Sequence, residues 1–89
     1  MRQEPTSEEN KVAEKVLDAA FIVHKEMGAG LLESVYEACL CDVFLDMNLK
    51  FERQKIIPVK FREKTLEAGF RCDLFIENKL LVEIKAVEF

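Results

Sequence analysis

The sequence has little of what loops and linkers are made of: three Gly and two Pro in 89 residues, too few for a collagenous, disordered or linker-rich chain. It has no uncharged run near the roughly 18 to 20 apolar residues that a membrane span requires, and residues 1–10 lack the apolar centre of a secretory signal. A cytoplasmic protein is expected. Cysteine is sparse and odd in number. Cys39, Cys41 and Cys72 include no C-x-x-C pair, which argues against a disulfide framework and against a cysteine-rich zinc site. On a helix Cys39 and Cys41 diverge, and all three are read as small buried or half-buried hydrophobes. Positive charge is not in excess either: 13 basic residues face 17 acidic ones, a net charge of −4. That balance argues against non-specific nucleic-acid binding through a large basic surface.

What is present points to one packed domain over residues 1–89, with 49% apolar and 34% charged residues. A core of this size buries roughly 60 to 65% of the surface of the unfolded chain, so a two-domain enzyme is excluded. The charge is unevenly placed. Residues 1–48 hold 4 basic and 10 acidic side chains, and residues 49–89 hold 9 and 7, which leaves room for a local basic stripe in the second half.

Residues 1–6 read as a flexible start. Thr6-Ser7-Glu8-Glu9 then forms a capping-box signature, in which the Thr6 hydroxyl and the Glu9 carboxylate satisfy each other's orphan backbone N–H groups. Val12, Val16, Ala20, Val23 and Met27 recur at steps of three and four until Gly28 and Gly30 break the period. A second helix over about 31–47 carries Leu32, Val35, Tyr36, Cys39, Leu40, Val43 and Met47, closed by Asn48 in the left-handed conformation. Extended segments follow. The first covers 51–61, with Pro58 marking an edge or a bulge because it cannot donate to a ladder. After the polar turn 62–64, Leu66, Ala68, Phe70, Cys72, Leu74 and Ile76 alternate on one face of a second strand. A third strand is expected over 80–87. The class is α+β, of the α/β sandwich type: two N-terminal helices and then a three-stranded, mainly antiparallel sheet.

The third strand carries the chemistry. Glu83 and Lys85 point the same way inside an otherwise apolar octet, roughly 6 to 7 Å apart along the strand. Asp73, on the mixed face of the preceding strand, can come beside Glu83. Two carboxylates and an ammonium would then converge, and the carboxylates would need a cation of the hard, oxygen-loving kind, Mg2+ or Mn2+. The spacing equally fits a solvated sheet face, where Glu83 and Lys85 form an exposed pair worth less than about 1 kcal/mol. D-x9-E-x-K does not decide between them.

Gly30-Leu31-Leu32-Glu33-Ser34-Val35-Tyr36 reads G-x-x-E-x-x-Y, and with Val23-His24, Phe51-Glu52-Arg53-Gln54 and Leu81-Val82-Glu83-Ile84-Lys85-Ala86-Val87-Glu88 it resembles the GxxExxY proteins of the PD-(D/E)XK nuclease superfamily. The resemblance runs from about residue 11 to the end. It implies an αβββαβ, restriction-endonuclease-like core with Glu33, Asp73, Glu83 and Lys85 as the catalytic set. Asp73 and Glu83 would hold Mg2+ or Mn2+, with the Ile84 carbonyl and Glu33 as further ligands, Glu33 directly or through water. Tyr36 and Gly30 would support the site. Arg53, Lys55 and Arg71 are candidates for phosphate contacts, with a solvated sheet edge as the alternative, and His24 is read as a structural or surface residue.

Family members continue past the third strand into another helix and a final strand, whereas this chain stops at Phe89, so a truncated core is expected. Two functions follow: a metal-dependent nuclease acting on nucleic acid, DNA before RNA, or a catalytically inactive nuclease scaffold that binds nucleic acid or protein. The missing cover over Phe75, Leu81 and Val87 further predicts a homodimer, or a completing segment from another chain.

Overall fold

The computed structural model describes residues 4–85. Helix α1, Ser7–Met27, and helix α2, Glu33–Asp46, precede strands β1, Phe51–Phe61, β2, Lys64–Ile76, and β3, Leu80–Val82. The strands form one antiparallel sheet in the order β1-β2-β3. The expected class and element order hold. Residues 4–6 precede the first helix, and the rest of the expected flexible start lies outside the described residues.

The Glu9 N–H donates to the Thr6 hydroxyl at 3.1 Å, as an N-cap requires. The return bond differs from the expected box, because the Thr6 hydroxyl itself donates to the Glu9 carboxylate at 3.1 Å. Gly28 ends α1, its N–H donating to the His24 carbonyl at 2.9 Å. Asn48 takes φ 58° after α2, as anticipated.

The core lies between the helices and one face of β2 and β3. Val12, Ala19 and Val23 from α1 and Leu40, Cys41 and Phe44 from α2 pack with Leu49, Leu74 and Ile76. Phe44 is fully buried and meets Phe51 with ring centroids 5.7 Å apart. Helix two is rotated from the expected stripe. Its buried positions are Glu37, Leu40, Cys41 and Phe44, while Leu32 and Val35 are exposed. The spacing 37, 40, 41, 44 is as good a helical stripe as the one expected. It was hidden because one of its members is a glutamate.

Cys72, Leu74 and Ile76 are fully buried, but the same face of β2 opens outward at Leu66 and Phe70, where the hairpin runs beyond the helices. The register changes by two residues between Ile57 and Val59, opposite Gly69. Pro58 supplies no N–H there, which an edge strand tolerates. Gly69 is needed for the close approach, since an added Cβ would sit 2.5 Å from the Ile57 carbonyl oxygen and 2.6 Å from the Val59 nitrogen.

The third strand departs most from expectation. Ladder pairing covers only Leu74 with Val82, Phe75 with Leu81 and Ile76 with Leu80. Residues 83–85 follow without regular structure, and the expected continuation at Ala86 and Val87 lies outside the described residues.

Candidate active site

The end of β3 delivers the acidic and basic side chains. Leu74 pairs with Val82, so Asp73 and Glu83 are level with each other where the ladder stops. The Asp73 Oδ2 accepts the Ile84 main-chain N–H at 2.7 Å. A side chain thus satisfies the backbone beyond the last ladder pair, which is how a short polar residue competes with regular structure. The bond fixes the segment carrying Glu83 and Lys85 against β2.

A cavity of about 510 Å3 opens between the helices and this segment. Its wall brings together Gly30 from the connection before α2, Glu33 and Tyr36 from the start of α2, and Glu83, Ile84 and Lys85. Gly30 has φ 86°, a conformation that glycine adopts without a Cβ penalty, and it turns the chain into α2 so that Glu33 stands in the helix's first turn. A carboxylate there is favoured by the unpaired N–H groups of the helix N-terminus. The Tyr36 hydroxyl donates to the Ala20 carbonyl at 3.4 Å, tying α2 to α1 beneath the cavity. His24 also lines this wall.

A second, smaller cavity of about 250 Å3 is lined by Glu33, Glu37, Gln54, Arg71, Asp73 and Ile84. Glu33 and Ile84 belong to both, so the two spaces adjoin. Arg71 therefore stands beside Asp73. Arg53 and Lys55 are engaged elsewhere: two Arg53 nitrogens donate to the Glu37 Oε2 at 3.1 and 2.9 Å, and the Lys55 ammonium meets Glu52 at 2.7 Å and the Phe75 ring at 5.4 Å.

Sequence reasoning missed Glu37 and Gln54. Glu37 is only 7% exposed and accepts from Arg53 and, at 2.7 Å, from the Gln54 amide. The same amide nitrogen donates to Asp73 Oδ1 at 3.3 Å. A charged residue on an apolar helical stripe was the available signal. The hydrogen bond to Glu37 holds the Arg53 guanidinium above its usual range. Burial pushes the Cys72 thiol up, and the charge of Glu83 adds to the shift. Cys41 is likewise raised, first by burial. Neither thiol has the lowered value of a nucleophile.

The donor chemistry suits a hard divalent cation: two carboxylates, Asp73 and Glu83, with the carbonyl of Ile84, the residue that follows Glu83. Among the described residues no three His, Cys, Asp or Glu side chains form a metal-binding group. A cation here would rest on two carboxylates, a main-chain oxygen and water.

The sequence model of one family, described as the PD-(D/E)XK nuclease superfamily, matches residues 10–89. No curated protein and no solved structure gives a significant match. No described helix is long and apolar enough to cross a membrane.

Proposed function

We propose that this chain, which belongs to the PD-(D/E)XK nuclease superfamily, is a GxxExxY-type nuclease that hydrolyses phosphodiester bonds, those of DNA before RNA, with Mg2+ or Mn2+. The observation that carries the reading is the Asp73–Ile84 hydrogen bond of 2.7 Å, which docks the Glu83-Ile84-Lys85 segment at a cavity that Glu33 also lines. Asp73, Glu83 and the Ile84 carbonyl would hold the cation. When bound, it supplies Lewis-acid polarisation of the phosphate and neutralises charge on the leaving oxygen. The Lys85 ammonium would donate to one lone pair of the attacking water, which turns the other toward phosphorus, and would offset the phosphate's charge. Glu33 accepts from the water shell on the opposite wall. Arg71, beside Asp73, anchors a neighbouring phosphate through charge and gives no base specificity.

Calorimetric titration with Mn2+ tests the reading. Binding by the wild type that disappears in Glu83→Ala supports it; no binding favours an inert scaffold. One observation favours that second reading, namely that both Asp73 oxygens already accept from protein donors. A carboxylate nevertheless has about four acceptor positions, so these bonds do not exhaust it.

The reading includes self-association through the sheet or a completing segment from another chain. Phe61 at 58%, Phe70 at 44% and Leu81 at 44% exposure support it, because covering a few hundred Å2 of such surface at about 25 cal/mol per Å2 yields several kcal/mol before association costs.

A further inference from the structure

The hydrogen bonds around Asp73 begin in the hydrophobic core. Glu37 sits on the buried face of α2 with Leu40 and Phe44, and a carboxylate so placed is costly unless every bond it can make is made. Arg53 takes its Oε2 and Gln54 its Oε1. Gln54 thus spends one amide nitrogen on two carboxylates, Glu37 at 2.7 Å and Asp73 at 3.3 Å. It does so from φ 51° within β1, a left-handed conformation that a non-glycine residue in a strand adopts only against steric cost. In an unbroken strand Gln54 would lie opposite Asp73, between the Arg53–Leu74 and Lys55–Cys72 pairs. The left-handed turn instead aims its side chain at the space between α2 and Asp73.

We propose that Gln54 is a positioning residue that locks the Asp73 carboxylate onto the Ile84 N–H, using the buried Glu37 carboxylate as its fixed anchor. The chain of bonds runs from Glu37 through the Gln54 amide to Asp73 and from Asp73 to the Ile84 N–H. It sets where Glu83 and Lys85 stand without either of them touching the core. Donor protons, not the bulk of the side chain, are the working part. The amide offers two N–H protons to two acceptors, which no carboxylate, hydroxyl or apolar group of the same length can do. The consequence for catalysis rests on the nuclease reading above; the consequence for Asp73 and Ile84 does not.

The test compares the wild type with Gln54→Glu and Gln54→Leu at pH 8. Gln54→Glu keeps length and shape and removes the donors; Gln54→Leu removes donors without adding charge. Hydrogen exchange at the Ile84 amide, read by NMR, reports the Asp73 bond directly and needs no metal. Both variants should fold and should exchange Ile84 at least about tenfold faster than the wild type, while core amides of α1 keep their protection. If the wild type binds Mn2+, both should also lose about 10- to 100-fold in affinity, the range for removing an outer-shell partner. Wild-type protection of Ile84 in both variants would overturn the proposal. A wild type that binds no Mn2+ but loses Ile84 protection in both variants would sink the metal reading and support the positioning role.

Discussion

The Asp73 carboxylate holds the Ile84 main-chain N–H at 2.7 Å, so the residue between the two candidate site side chains Glu83 and Lys85 is fastened to β2 by a side chain just beyond the last ladder pair. Asp73→Asn should separate this structural role from chemistry. An asparagine keeps one carbonyl oxygen for the N–H, gives up the oxygen that accepts from Gln54, and loses the charge that attracts a cation. Thermal unfolding should change by only a few degrees, while Mn2+ binding disappears and any cleavage falls about 100-fold or more. A large loss of stability with retained binding would contradict the assignment.

Glu37→Leu should destabilise the protein by about 1 to 3 kcal/mol, because it takes from the Gln54 amide the nearer of its two acceptors and from the Arg53 guanidinium its carboxylate partner. The loss is tempered because the Arg53 side chain is 50% exposed and water can solvate it. Urea unfolding measures the difference, and Arg53→Ala should cost at least as much as Glu37→Leu, because it leaves the buried Glu37 carboxylate without its cation.

Alkaline pH should weaken the fold through two thiols. Burial raises Cys41 and Cys72 above the ordinary 9.0, with Arg53 opposing the shift at Cys41 and Glu83 adding to it at Cys72. The folded state therefore favours the protonated thiols. Their contribution is complete below about pH 9 and is lost as pH climbs from there through the raised folded-state values. Between pH 7.5 and 10 the wild type should lose more stability in urea than a Cys41→Ala, Cys72→Ala double variant, whose own baseline is lower from lost packing.

Sedimentation at micromolar concentration should show a dimer that Phe61→Lys and Phe70→Lys convert to monomer. A concentration-independent wild-type monomer that binds no exposed-hydrophobe dye would remove self-association from the account.

Much of this was readable in the sequence where local rules act alone. Thr6, Gly28 and Asn48 set helix ends through their own backbone preferences, and Pro58 announced the irregularity in β1 because it lacks an N–H. Glu33, Glu83, Ile84 and Lys85 do reach one cavity. What was not readable depends on partners distant along the chain. The rotation of α2 is decided by which residues meet Leu74 and Ile76, and a buried Glu37 becomes tolerable only once Arg53 and Gln54 are beside it. Strand β3 looked continuous because its alternation persists past Val82, yet the Asp73 side chain takes the Ile84 N–H and regular pairing ends. Leu66 and Phe70 alternate as core residues should, but neither helix reaches that far along the hairpin.

The most direct test of the central claim is cleavage of linear DNA by the wild type, Glu83→Ala and Lys85→Ala, each in Mg2+ and in EDTA. The account predicts cleavage by the wild type in Mg2+ alone, with both variants reduced about 100-fold or more. Equal cleavage by all three proteins, or cleavage that persists in EDTA, would contradict it.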